Sequence, residues 1–275
     1  MKICNDDVVE IARLTNHIPL LIFCLGGLVP GVPHEDLSKM KAVLEVGCGP
    51  GVWMQEFTDA NPGIQVTGID TRPTMVDQAR KRLQEPNASA LLVSSYTDQL
   101  PFNDASFDLV SMHCMSLLLE REKWASLLSE CQRVLRSEGL IRVTEFELAQ
   151  SNAQATEEWS QLCWQALKQL DRCPSESRRY LGWFSELEPM ISAAGFQECV
   201  CIPHVVNYSY GAPCHQEWKR DLNLQVRKYL PLMVEMHLLT QEQSVSLQER
   251  IEQEMNVPSF HAIQHFLTVL GRKIS

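Results

Sequence analysis

Val43-Leu44-Glu45-Val46-Gly47-Cys48-Gly49-Pro50-Gly51 is an apolar run that ends in three alternating glycines. The apolar part suits a buried strand. The glycines let the backbone turn sharply and come within contact distance of a ligand, which a side chain would block. The dinucleotide fingerprint needs its third glycine at position 52, where Val52 stands, so the pattern is GxGxG and not GxGxxG. At the end of the next apolar run, 19 residues beyond Gly51, stands Asp70, where a carboxylate can accept both hydroxyls of a ribose. Strand, glycine turn, helix, strand and Asp in that order form a more specific signal than the glycines alone. Each part also has a plainer use. Glycines serve tight strand–helix packing, and Asp70 ahead of Arg72-Pro73 suits a helix opener.

Outward from this segment, short apolar runs alternate with helical patterns, the signature of stacked βα units and a mostly parallel sheet. Strands are expected over 42–46, 64–70, 91–93, 107–113, 140–146, 198–202 and 262–270, the fifth after Gly139 closes a helix over 122–135. Further helices are expected over 52–59, 72–83, 156–170, 184–194, 215–239 and 241–255. The fold class is therefore α/β: a Rossmann-like seven-stranded sheet with helices on both faces, a helical N-terminal segment and a helical insertion before the last strand. Residues 1–40 would form a lid, 41–203 with 259–275 the core, and 204–258 a substrate cap.

The composition agrees. Of 275 residues 45 % are apolar, and 34 acids against 24 bases leave a formal charge of −10, which disfavours a nucleic-acid partner. The ten cysteines include no CxxC pair, so no metal site is expected and free thiols in a reducing, cytoplasmic setting are. Asp6, Asp7 and Glu10 precede an apolar stretch, Ile18 to Val29, that is too short to span a bilayer and lacks a basic leader, so no membrane partner is expected.

The motifs resemble those of the class I S-adenosylmethionine-dependent methyltransferases. Besides the glycine turn and Asp70, Leu100-Pro101-Phe102 with Ser106-Phe107-Asp108-Leu109-Val110 is similar to that family's approach to the fourth strand. Arg133-Val134-Leu135-Arg136-Ser137-Glu138-Gly139 is similar to its RVLKPGG turn, with Ser137 and Glu138 departing from it, and Ala193-Ala194-Gly195-Phe196 to its AGF turn. The resemblance implies S-adenosyl-L-methionine as cofactor and S-adenosyl-L-homocysteine as product. It implies that Glu45 and the backbone of Gly47, Cys48, Gly49 and Gly51 hold the methionyl end, that Asp70 and Thr71 serve the ribose, and that Met75 lies against adenine. Tyr96 stands where the family often has an adenine-binding Asp, and with Thr97 it takes over that place. His113, at the tip of the fourth strand, counts with the cofactor residues.

A sulfonium methyl is already electrophilic, so alignment is the main catalytic task and a base is needed only for a protonated nucleophile. His113 and Glu145, both at strand ends, are the candidate catalytic residues, with His113 alternatively a wall residue. Trp53 either borders the cofactor or packs the first helix; His204, Tyr208, Tyr210 and His215 enter the cap. Apolar stripes at Leu21, Ile22, Phe23, Leu25 and Leu28, and from Trp218 through Leu222, Leu224, Val226, Tyr229 and Leu232, suggest a lid over a hydrophobic small-molecule acceptor of secondary metabolism. The alternatives are a pericyclase-like enzyme that keeps the sulfonium intact, a regulatory subunit and a nicotinamide oxidoreductase, the last disfavoured by Val52. A homodimer is left open.

Overall fold

The computed structural model describes residues 8–177 and 179–274. Cys4, Asp6 and Asp7 lie outside the described residues. In chain order the elements are α1 (Val8–Cys24), α2 (His34–Lys39), β1 (Ala42–Val46), α3 (Val52–Ala60), β2 (Gln65–Asp70), α4 (Pro73–Arg82), β3 (Ala88–Leu92), β4 (Phe107–His113), α5 (Trp124–Val134), β5 (Leu135–Phe146), β6 (Gln150–Ser151), α6 (Gln154–Gln169), α7 (Trp183–Ala193), β7 (Phe196–Asn207), α8 (His215–Glu235), α9 (Gln241–Glu254) and β8 (Ala262–Lys273). The expected α/β architecture is present. The sheet has eight strands, the eighth being the two-residue β6, in the order β3-β2-β1-β4-β5-β8 with β7 on the outer side of β8. Strands β1 to β5 pair in parallel, and β8 runs antiparallel between β5 and β7. None of the described helices is long and apolar enough to cross a membrane.

Alternation along the central strands sorts side chains onto two faces. Leu44 and Val46 of β1, Val110 and Met112 of β4, and Ile141 and Val143 of β5 belong to one buried cluster with Trp124 and Leu127 of α5 and Trp183 and Leu187 of α7. Each fully buried aliphatic or aromatic side chain there contributes roughly 1.5–3 kcal/mol. The intervening residues face the other way. Val43, Leu109 and Leu140 join Trp53, Met54 and Phe57 of α3, while the remaining positions on that face are polar: Glu45, Ser111 and Arg142 stand side by side, with His113 opposite Thr144 one step on. The sheet thus carries an apolar side that holds it together and a side whose centre is polar.

A further apolar cluster lies beyond the sheet. Leu21 and Leu25, from α1 and the turn after it, pack with Trp159 and Leu162 of α6, Trp218, Leu222, Val226 and Met233 of α8, and Leu247 and Ile251 of α9. The helical cap is therefore joined to the N-terminal segment over the polar face. The sequence places β7 at 198–202, but the strand runs on to Asn207, so 204–207 belong to the sheet and the excursion starts later. β5 begins at Leu135 directly after α5, with Glu138 at φ 65°, so Gly139 lies within the strand and does not close the helix.

Candidate active site

The glycine turn is held by β2: the amides of Gly47 and Cys48 both donate to the Ile69 carbonyl, at 2.8 and 3.0 Å. Gly47, Gly49 and Gly51 have φ of 75°, 53° and 75°, the left-handed region that disfavours other residues. Their surroundings differ. A Cβ at Gly51 would meet the Ala79 Cβ at 2.9 Å, whereas one at Gly49 would meet only Arg72 Nη2, at 4.0 Å. Gly51 is needed for helix packing; Gly49 keeps backbone bare where a ligand can approach.

Asp70 is fully buried, and its carboxylate accepts hydrogen bonds from the Gly49 amide and the Arg72 amide, each at 2.9 Å. Arg72 Nε and Nη2 add a bidentate pair, both at 2.9 Å. A diol can bind this carboxylate only when the Arg72 side chain gives up those contacts. Behind it the Thr71 amide donates to Tyr96 Oη at 3.3 Å, and the Thr97 amide to Ser95 Oγ at 3.0 Å. Burial, with Asp70 beside it, pushes the Tyr96 phenol well above its usual range, so it stays protonated. Met75 is fully buried on α4. Asp70, Thr71 and Tyr96 are thus brought together at the β2 tip, with Thr97 next in sequence; Arg72 lines the cavity and these four do not.

That cavity measures about 290 Å³ and runs from Glu45, Gly47, Cys48, Gly49 and Pro50, past Trp53, His113 and Arg142, to the cap side chains Tyr208, Trp218, Leu222 and Met233. Leu21, Ile22, Leu25 and Leu28 form its other wall, whereas Phe23 is 70 % exposed and points away. Trp53 stacks on Phe57, lines the cavity 5.8 Å from the His113 ring, and donates Nε1 to the Leu28 carbonyl at 3.0 Å, tying the N-terminal segment to the site. Tyr208 stacks on Trp218, His215 Nδ1–H donates to the Tyr208 carbonyl at 2.9 Å, and Tyr210 is 45 % exposed. His204 meets Thr268 Oγ1 at 3.0 Å, and that hydroxyl shares a 2.8 Å bond with Thr144.

The two expected catalytic residues are placed differently. His113 faces the cavity, but its Nε2 lies 2.6 Å from Arg142 Nη1. A guanidinium only donates, so Nε2 accepts and the ring proton sits on Nδ1; burial and the neighbouring Arg142 hold the imidazole well below its usual range. Its lone pair is therefore already engaged. Glu145 shares the face of Ile141 and Val143, away from the cavity, and accepts from the Ser116 amide at 3.0 Å and hydroxyl at 2.6 Å. Burial pushes it up to about 7 against those hydrogen bonds.

Sequence reading passed over a set of charged residues. Arg142, mid-strand in β5, is fully buried on the polar face; burial draws it down to about 9, against the opposing pull of Glu45. Glu45 itself is pushed well above the usual carboxylate range by burial and by Asp70, with Arg142 opposing. Glu10, Arg13 and His17 lie on one side of α1, and the last two meet Asp221 of α8. Arg13 bridges Glu10 at 2.9 and 3.0 Å and Asp221 at 2.9 Å, and Lys228 Nζ stands 2.8 Å from Glu10. His17 Nδ1 is 3.1 Å from Asp221 Oδ2, without hydrogen-bond alignment. Burial opposes ionisation of Asp221, yet His17, Arg13 and Gln225 hold it below its usual range. The available signal was a lone charge inside an apolar strand, and charges at helical spacing on a segment read only for its apolar residues.

A family model described as methyltransferase domain matches residues 43–139, the span from the glycine turn through Gly139. That match, with relatives named as methyltransferases, supports a methyltransferase domain of the class I S-adenosylmethionine-dependent type over this span. Malonyl-[acyl-carrier protein] O-methyltransferase of Legionella pneumophila is 32 % identical over 147 residues, 50 % of this chain and 45 % of that enzyme. The chain thus spans less than half the length of the curated relatives it matches. Among solved structures, a chain from the complex of the Haloferax volcanii Trm112 methyltransferase activator with its methyltransferase superposes with a TM-score of 0.52 at 17 % identity, over 98 % of this chain and 97 % of that one. Phosphoethanolamine N-methyltransferase 2 of Haemonchus contortus, in complex with S-adenosyl-L-methionine, gives 0.50 at 16 % identity over 96 % and 58 %. These two similarities are of fold. Residues of this chain fit the cofactor of that domain type: Glu45 presents a buried Oε2 without a hydrogen-bond partner among the described residues, and Gly49 leaves backbone bare in the same turn.

Proposed function

We propose that this methyltransferase moves a methyl group from S-adenosyl-L-methionine to an O, N or C atom of a hydrophobic small molecule enclosed by the helical cap. The observation that carries the reading is the continuity of one cavity from the glycine turn to apolar walls supplied by α1 and α8. When bound, the cofactor supplies an electrophilic methyl on a sulfonium centre. The chain's part is to bind and align: Glu45 and the turn amides for the amino-acid end, Asp70, once freed of Arg72, for the ribose diol, and Tyr96 with Thr97 for the base. Alignment alone can lower the barrier by roughly 7–11 kcal/mol. The cap and lid exclude water around the acceptor. An acceptor hydroxyl would hand its proton to His17, which faces the cavity beside Asp221, in preference to His113, whose lone pair Arg142 occupies. That same engagement supports a second reading, in which the cofactor is kept intact and assists a reaction that needs no base.

Calorimetry with S-adenosyl-L-homocysteine should show binding to the wild type and a drop of at least about tenfold for Asp70→Ala, the loss of a charged hydrogen-bond acceptor. Incubation with methyl-labelled cofactor and a panel of hydrophobic alcohols, amines and enols should give labelled product. Consumption of an acceptor with all label retained in the cofactor would favour the second reading. Absence of heat with both cofactor and product would sink both.

A further inference from the structure

The reaction proposed above gives no work to Arg142, although burying a guanidinium inside a sheet is costly unless its N–H groups are paired. Only one part of it is. Nη1 is spent on His113 at 2.6 Å and Ser111 at 3.3 Å, while Nε and Nη2 are buried without a hydrogen-bond partner among the described residues. Those two nitrogens share one edge of the planar fork, the edge that matches the two oxygens of a carboxylate. The same molecule shows what that edge takes. Arg13 presents Nε and Nη2 to Glu10 at 2.9 and 3.0 Å, and Arg72 presents them to Asp70, both at 2.9 Å. Glu45, the acid that Arg142 senses electrostatically, does not fill this role: it stands one strand further away, across Ser111, and no hydrogen bond joins the two. Both side chains line the same cavity, each with a polar atom unmatched.

We propose that Arg142 binds a carboxylate of a ligand in this cavity through its Nε and Nη2 edge. This rests on the reading that the cavity holds cofactor and acceptor. A carboxylate can come from two sources, the amino-acid end of the cofactor or the acceptor itself. Opposite Glu45, which suits an ammonium, the arrangement would receive an α-amino acid at both of its charges. On an acceptor, it would select a hydrophobic acid over the corresponding alcohol or amide.

Calorimetry on the full chain separates the cases. S-adenosyl-L-homocysteine is titrated against its descarboxy analogue, and decanoate against decanol, the latter pair with and without S-adenosyl-L-homocysteine, on wild type, Arg142→Met and Arg142→Lys. If the cofactor supplies the carboxylate, the wild type binds the descarboxy analogue at least about tenfold more weakly, Arg142→Met binds both alike, and Arg142→Lys, charged but without the fork, lies between. If the acceptor supplies it, the first pair shows no such gap and the wild type prefers decanoate at least about tenfold, a preference lost in Arg142→Met. Wild type showing neither preference overturns the proposal, whether or not the variants fold, and so does either preference surviving intact in a folded Arg142→Met. Failure of the wild type to bind S-adenosyl-L-homocysteine overturns the cofactor reading alone, because the decanoate pair on the free protein still decides Arg142.

Discussion

Gly49 and Gly51 share a backbone conformation and differ in what lies beside them, so alanine at each reports on a different function. At Gly51 the new Cβ would sit 2.9 Å from the Ala79 Cβ and 3.0 Å from its Cα, with φ at +75°. Left-handed strain and overpacking together should cost about 3 kcal/mol. At Gly49 the space is open, and strain of about 1–2 kcal/mol is the expected loss. Chemical denaturation should therefore rank Gly51→Ala well below Gly49→Ala, while calorimetry with S-adenosyl-L-homocysteine should show the folded Gly49→Ala weakened at least about tenfold. Undiminished affinity there would leave the glycines as packing residues. Glu145 permits a second residue-scale test. Its folded pKa near 7 lies above the ordinary value, so between about pH 4.5 and 7 the native state holds a proton that the unfolded chain has released. Stability from this group is thus greatest at the acid side and falls as pH rises through that window, by at most about 3 kcal/mol. Unfolding free energies at about pH 5 and 8 should show this slope in the wild type and its loss in Glu145→Gln, whose ligand affinity should be unchanged because the side chain points away from the cavity. A slope that survives in Glu145→Gln would assign it to other groups.

Between elements, α1 is joined to α8 by charges as well as by apolar contact. Arg13→Met would take from Glu10 its bidentate partner and strand Asp221 beside His17 in a nearly dry site. Breaking a buried pair in this way costs about 3–5 kcal/mol. If α1 opens as a unit separate from the sheet, native-state hydrogen exchange should quicken by a hundredfold or more in residues 8–24, at roughly 1.4 kcal/mol per decade, and leave β1, β4 and β5 unchanged. An equal rise throughout would make α1 part of one cooperative fold. The sequence was read well where a single local rule governs an element: α4 begins at Pro73, and β1 ends at the glycines. It was read short where tertiary context overrides that rule. Pro203 argues against a strand, yet β7 pairs only with β8, and an edge strand tolerates a missing amide. Pro19 likewise lies inside α1, a helix that the sequence placed in the N-terminal segment without giving its bounds. Glu145 was legible in part: once Val143 is core, alternation places Glu145 on the same face, and only the added weight given to its strand-end position turned it toward the site.

Across the whole molecule, the arrangement of charge separates what is kept inside from what is shown. Arg13, Arg72 and Arg142 are all buried around the cavity. Many of the cations left on the surface stand beside acids, as Lys39 with Glu35, Arg121 with Glu186, Lys123 with Glu120, Arg133 with Glu130 and Asp104, Arg250 with Glu158, and Arg272 with Asp36 and Glu198. The formal charge of −10 was plain from composition. That three arginines are buried and these other bases stand beside acids was not, because it depends on which helix faces meet. Phosphate binding needs several bases in a row that can release counterions on contact, and at the pairs named above an acid stands beside each base. Fluorescence anisotropy of a labelled transfer RNA should therefore stay flat with up to about 10 µM protein near 0.15 M salt. Lowering the salt should bring only a shallow response, since the slope of log affinity against log salt counts phosphates neutralised. A steep slope, corresponding to roughly six or more phosphate contacts, would mean that the acid-paired cations exchange partners on binding, and the cap would then have to be read as a nucleic-acid surface.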